Sequence, residues 1–410
     1  MKALRIVVTD GEERASLAIT RSLGRAGHRI HVTSMSGRCL AGASTFARGD
    51  HEIPDPLADP EAYARRLEEV VVETEADVLV PVTEASLLAT LPHRDAFGCM
   101  VPFPDLGTFR RASDKGEVAR LAREVGIAVP AQVEVTGRDG AGELPDDPDR
   151  SYVLKPSRSV EGGRKLGVSY GRGGEELRRA VTGLPEQAFP LLVQERIVGP
   201  GAGVFLLLWN GEVRAVFGHR RIREKPPSGG VSVVRESVPV DPSLADAAAR
   251  LLRELEWRGV AMVEFKVDQA TGTPYVMEIN GRFWGSLQLA VDAGVDFPRL
   301  LVEAATGSDA SEAGRGPSAD PGVPTYRSGV RLRWLLGDLD QLLARLLKSP
   351  SQLDLPPGTP GRLKATLAFF ADFLPPNRLE VLRLRDPRPF ARELAGWVRD
   401  VVGSRGAGKP

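Results

Sequence analysis

Hydrophobic positions in the first third of the chain follow two alternating textures. Residues 4–9 form an apolar run, Asp10-Gly11 follows, and residues 14–26 repeat apolar positions at helical spacing until Gly27. Residues 28–33 and 77–82 are further strand-like runs, with a helical pattern over 60–74 between them. Short strands alternating with helices predict a parallel sheet with helices on its faces.

The texture changes after residues 137–150, a stretch rich in Gly, Pro and Asp that marks a loop or boundary. Strand-like runs follow at 151–155, 190–198, 204–209 and 212–218, and Asn210-Gly211 is the strongest hairpin signal in the chain. A helix over 242–256 and two alternating strands at 260–268 and 274–280 complete an α+β pattern. Residues 306–324, crowded with Gly, Ser, Asp and Pro, are expected to be a linker. The remainder is predicted to be mostly helical, and the leucines at 335, 336, 339, 342, 343, 346 and 347 form a packing stripe.

Composition narrows the function. Lys+Arg and Asp+Glu both number 54, so no bulk field draws the protein to nucleic acid or to an anionic membrane. Residues 365–374 are too short to span a bilayer, and the first residues lack a signal-peptide core. Cys39 and Cys99 make neither a disulfide framework nor a zinc site. Together these features predict a cytoplasmic protein. The tail from Gly403 to Lys409 imitates a P-loop but lacks the hydroxyl residue and the flanking strand and helix, so it is set aside. Neither His-Glu-x-x-His nor Gly-x-Ser-x-Gly occurs.

The chemistry concentrates in residues 260–285, VAMVEFKVDQATGTPYVMEINGRFWG. Met262, Glu264, Lys266 and Asp268 share one face of their strand, and Val276, Glu278 and Asn280 share one face of the next. A turn centred on Thr271 sets Glu264 opposite Glu278. Opposed like charges destabilise a sheet, and a hard cation such as magnesium removes that penalty. Patterning alone leaves three alternatives: a metal pair, a solvated surface pair or slipped register, and neutralisation by Lys266.

Glu278-Ile-Asn280-Gly-Arg282 resembles the Glu-x-Asn-x-Arg end of an ATP-grasp domain, with Gly281 where proline is usual. The resemblance implies that Glu264, Glu278 and Asn280 bind magnesium, with manganese as a substitute, and that Arg282 lies near the γ-phosphate or an acyl-phosphate. Upstream, Lys155-Pro156 with Gly162-Gly163 resembles the family's nucleotide-contacting lysine and the loop that closes over the phosphates. Lys115 matches its earlier lysine. Residues 192–199 resemble the adenine hinge, implying nucleotide contacts from Gln194, Glu195 and Ile197. Many members then carry a ribose-binding acid, whereas this chain has Gly199-Pro-Gly-Ala-Gly203. His219-Arg220-Arg221 and Gly229-Gly230-Val231-Ser232 resemble segments of carbamoyl-phosphate-synthase-like members, implying a phosphate or substrate contact from Arg221.

The implied fold is α/β plus α+β. A Rossmann-like domain (1–110) that lacks the dinucleotide fingerprint precedes an ATP-grasp domain with a small lobe over 111–197 and a large lobe over 198–305. A helical extension over 325–410 follows. The implied activity is ATP-dependent activation of a small-molecule carboxylate as an acyl-phosphate for attack by an amine, and a homodimer is the assembly considered. The alternatives are a thiol nucleophile, a carbamoyl- or carboxy-phosphate product, a nucleotide-binding regulator without turnover and, more remotely, a dinucleotide-dependent enzyme.

Overall fold

The computed structural model describes residues 2–147, 149–227, 230–307 and 325–349, then 352–353, 355, 359–375 and 377–406. The chain opens on a four-stranded parallel sheet in the order Ala47–Glu52, Arg29–Ser34, Arg5–Val8, Val78–Val80. The apolar residues of its central strands, Ile6, Val7, Val8, Ile30 and Val32, are fully buried beneath the helices Arg14–Arg25 and Pro60–Thr74, as the apolar runs predict. Gly11 lies in the turn from the first strand into the first helix, where a Cβ would lie 2.2 Å from Cys39 Sγ. The edge strand Ala47–Glu52 escapes sequence reading, since ARGDHE carries no alternation and pairing alone makes it extended.

Two sheets follow, antiparallel except for one parallel pair at the edge of the larger. The smaller runs Gln132–Val135, Leu191–Glu195, Ser151–Pro156, Ser169–Arg172. It packs Leu154, Leu191 and Val193 against Leu177 and Val181 of the helix Glu175–Thr182, forming its own hydrophobic core. The larger sheet has seven strands: Pro274–Asn280, Gly259–Val267, Gly201–Trp209, Glu212–Lys225, Val231–Ser237, Arg331–Arg333 and Asn377–Leu379. Asn210 and Gly211 take positive φ angles of 54° and 78° at the hairpin between its third and fourth strands, as their sequence predicts. The core of this sheet is continuous with that of the N-terminal parallel sheet, so the small sheet stands apart as a separate lobe.

Residues after 325 are largely helical, with helices at Leu335–Leu347, Arg362–Ala371 and Arg388–Gly406. They also give the large sheet its last two strands, each three residues long and too short for an alternation to show. Residues 403–406 belong to the last helix, while 407–410 of the P-loop-like tail lie outside the described residues, as do 308–324 of the expected linker. Among the described residues no helix is long and apolar enough to cross a membrane.

Candidate active site

The antiparallel hairpin formed by Gly259–Val267 and Pro274–Asn280 pairs Glu264 with Glu278 and Met262 with Asn280. Asp268 holds its turn by accepting from the N–H groups of Ala270 and Thr271, each at 2.8 Å. Beyond the glutamate pair the alternation breaks. Phe265 pairs with Val276, so Met277 is the extra residue of a bulge, and Val276 packs in the core in place of the expected Tyr275 and Met277. Lys266 does not neutralise the acids through a hydrogen bond; its Nζ lies 3.4 Å from the Gly199 carbonyl.

The two glutamates are partly withdrawn from water. Burial, reinforced by the Glu278 carboxylate, raises the pKa of Glu264. Asn280 Nδ2 donates to Glu278 Oε1 at 3.1 Å, and Arg282 donates to Asn280 Oδ1 at 3.1 Å and to the Phe283 carbonyl at 2.9 Å. Gly281 explains the departure from the usual proline: a Cβ here would lie 2.3 Å from the Trp257 ring. Arg221 reaches to 3.7 Å from Glu264 while pairing with Glu224 at 3.1 Å. Among the described residues no three His, Cys, Asp or Glu side chains form a metal cluster. Two carboxylates and an amide nevertheless fit magnesium, which keeps several waters and takes phosphate oxygens.

Lys155 approaches the same acids from the small sheet, and Lys115 from the start of the helix Lys115–Glu124, which packs in the large core. Asp114 caps the helix Lys115–Glu124, and Lys115 Nζ donates to Ser159 Oγ at 2.8 Å and lies 3.7 Å from Glu278. Lys155 Nζ donates to Gln194 Oε1 at 2.9 Å, and Gln194 in turn donates to Gln132 Oε1 at 2.9 Å. Burial lowers the Lys155 pKa. Gly162 and Gly163 form the tip of a small hairpin between Val160–Glu161 and Arg164–Lys165, with φ angles of 54° and 73° that suit glycine. A Cβ on Gly163 would lie 2.8 Å from the Leu57 carbonyl, so this tip touches the N-terminal domain. At the expected hinge, the N–H groups of Glu195 and Arg196 are taken by the carbonyls of Ala131 and Ser151 at 2.8 and 2.9 Å. Glu195 also pairs with Arg150 at 2.9 Å, and Ile197 lies just beyond the strand.

Beside the glutamates opens a cavity of about 290 Å³ lined by Arg14, His219, Arg221, Gly230, Ser232, Arg235, Arg282 and Ser286, among others. Gly229 of the Gly-Gly-x-Ser segment lies outside the described residues. Arg220 points elsewhere, pairing with Glu236. Trp284 is core, 4.4 Å from Phe205 and 5.0 Å from Phe297 between ring centroids.

Sequence reasoning missed Glu84, Arg14 and Arg235. Glu84 opens the helix Glu84–Thr90 at the carboxyl end of a parallel strand, where such folds place their ligand crevice, and that position was its available signal. Its pKa is raised by burial, and Arg282, Lys115 and Glu278 act on it electrostatically. Arg14 and Arg235 carry no local motif.

His219 is buried in the cavity wall, and burial pushes its pKa down to about 3. Because the folded value lies below the unfolded one, acid protonates the unfolded chain first, and stability falls as pH drops from about 6.5 towards 3. At pH 4.5 this linkage amounts to roughly 2–3 kcal/mol. His219→Gln is therefore expected to narrow the difference in melting temperature between pH 7 and pH 4.5. An unchanged difference would show that the folded chain accepts this proton.

Residues 187–324 match the family described as ATP-grasp in the biosynthetic pathway with Ter operon. Among solved structures, the L-amino acid ligase from Bacillus licheniformis is 18% identical, with 74% of each chain covered and a TM-score of 0.57. The biotin carboxylase from Campylobacter jejuni, in a β,γ-ATP complex, is 16% identical over 80% of this chain and 74% of that one, with a TM-score of 0.62. The N5-carboxyaminoimidazole synthetase from Staphylococcus aureus, complexed with ADP, is 14% identical over 80% and 81%, with a TM-score of 0.58. No curated protein matches the chain. Residues 187–324 thus match an ATP-grasp family, and the chain shares its fold with these solved structures.

Proposed function

We propose that the protein is an ATP-dependent ligase that activates a small-molecule carboxylate as an acyl-phosphate and passes the acyl group to an amine. The observation that carries this reading is the pairing of Glu264 with Glu278, with Asn280 and Arg282 alongside and an arginine-rich cavity beside them. ATP lies between the small lobe and the large sheet, with Lys115 and Lys155 contacting its phosphates, Gln194 and the 195–197 strand end facing its base, and the Gly162-Gly163 hairpin covering the phosphates. Solved structures of similar fold hold ADP, in one case with magnesium, and this supports the assignment of nucleotide and metal.

A carboxylate oxygen attacks the γ-phosphorus, the bond to the β-phosphate oxygen breaks and ADP leaves. Magnesium held by Glu264, Glu278 and Asn280 would neutralise phosphate charge during this transfer. Arg282 and Arg221 stabilise the charge moving onto the acyl-phosphate, using the fork geometry that suits phosphate and carboxylate alike. The amine nitrogen then attacks the acyl carbon, the carbon–oxygen bond breaks and phosphate leaves. Glu84, with its raised pKa, is placed to take the amine proton. The separate core of the small lobe supports its movement as one body, which would shut water out of the site.

The test incubates full-length protein with ATP, magnesium, pooled small carboxylates and hydroxylamine, which traps any acyl-phosphate as a hydroxamate. Carboxylate-dependent ADP and hydroxamate are expected. Release of AMP and pyrophosphate, or ADP formation indifferent to every carboxylate, would overturn the reading.

A further inference from the structure

Two arginines that line the cavity and the carboxylate behind them come from three distant parts of the chain. Arg14 comes from the first helix of the N-terminal domain, Arg235 from the strand Val231–Ser237, and Glu380 from the residue after the last strand. Arg14 donates to Glu380 Oε2 at 3.0 Å, and Arg235 pairs with the other oxygen of the same carboxylate. Arg14 also stacks on Trp334, with its guanidinium carbon 3.8 Å from the ring centroid. Arg235 is 1% exposed and donates to the carbonyls of Ser232 at 2.8 Å and Gly285 at 3.3 Å. Its buried Nε–H has no acceptor among the described residues.

Two guanidinium groups therefore share one carboxylate, which leaves one of them without an ion pair of its own in a poorly solvated wall. Of the neighbouring acids, Asp292 pairs with Arg383 at 2.6 Å and Asp340 with Lys225. Glu393 accepts the Trp334 Nε1–H at 2.7 Å and acts on Arg14 only electrostatically, as Asp292 does on Arg235. An uncompensated buried cation with an unused donor is costly unless an anion completes it. The acids at the reacting end, Glu264 and Glu278, line the same cavity, as does Arg282, which is tied to Asn280 and the Phe283 carbonyl. The cavity thus carries two separately anchored cation sets, and its volume of about 290 Å³ suits a small acid.

We infer that the acid substrate of this site carries a second anionic group, seated on Arg14 and Arg235, with Glu380 as the positioning residue that holds both guanidinium groups. The inference rests on the ligase reading above and narrows its substrate to small dianions. It also gives the C-terminal segment a role, since Glu380 and Trp334 complete a wall that the central region lacks by itself. A carboxylate and a phosphate present the same chemistry to this seat, so the test includes both.

Full-length protein with magnesium and ADP bound is titrated calorimetrically with butyrate, glutarate and 3-phosphoglycerate. Both dianions are expected to bind at least about tenfold more tightly than butyrate, as charge-assisted pairing with arginine implies. The tighter of the two identifies the second anion as carboxylate or phosphate. In Arg14→Gln and in Glu380→Gln the preference should shrink to under about threefold while butyrate affinity stays unchanged. A general loss of structure would weaken all three ligands together, and retained ADP affinity confirms folding. Equal binding of the three, binding of none, or a preference that survives Arg14→Gln overturns the inference. Failure to bind ADP with magnesium would instead overturn the ligase reading.

Discussion

Glu278→Gln is expected to reduce carboxylate-dependent ADP release on the order of 10³-fold while the protein stays folded. The side chain keeps its length, and an amide oxygen still accepts from Asn280 Nδ2, which now bonds Glu278 at 3.1 Å. One of two opposed carboxylates is removed, however, and with it a charge that would hold magnesium between Glu264 and the phosphates. The same change relieves the repulsion that raises the Glu264 pKa, so the nucleotide-free protein should melt at the same temperature or higher. Steady-state ADP release and a melting curve measured on one preparation check both halves. Unchanged turnover would sink the metal assignment.

Asp386→Ala is expected to destabilise the protein by about 3–5 kcal/mol without touching the reacting groups. Asp386 is fully buried and accepts from Arg21 Nε at 2.8 Å, Ser44 Oγ at 2.8 Å and the Thr45 N–H at 2.8 Å. Arg21, 1% exposed, also donates to the carbonyls of Glu380, Val381 and Asp386 at 3.1, 2.8 and 3.1 Å. Removing the carboxylate strands a buried guanidinium, whereas Arg21→Met with Asp386→Ala removes both charges and should recover part of the loss. Denaturant unfolding of the two variants measures the difference. Equal stability of Asp386→Ala and the parent would show that the last thirty residues do not lock onto the N-terminal domain. A loosened lock should also relax Glu380, six residues upstream, and weaken the seat formed by Arg14 and Arg235.

Much of the geometry around the glutamate pair was legible because its residues lie on regular elements with local patterns. Lys155 ends a strand, Gly162 and Gly163 fill a two-residue turn, and Glu264 and Glu278 follow from the length of one hairpin. The bulge at Met277 was not legible, since alternation carries no mark of the residue that breaks it. Glu84 was half legible, through its place at the end of a parallel strand.

The amino-acid sequence by itself determined the parallel sheet, the Asn210-Gly211 hairpin, the Glu264–Glu278 register and the ordered set of cations around it. Each depends on short-range geometry: the period of a strand, the spacing of a helix or the residue types a turn accepts. Only the tertiary structure decided the arginine-lined side of the cavity. Arg14, Arg235, Trp334 and Glu380 are separated by up to 366 residues, and none belongs to a motif. Trp334 and Glu380 arrive there because two short mixed strands, Arg331–Arg333 and Asn377–Leu379, add to the edge of the large sheet, where pairing partners, and not the residues themselves, make the backbone extended. Charges brought together in this way have no periodicity to announce them, and their meaning appears only when burial shows which lack a partner.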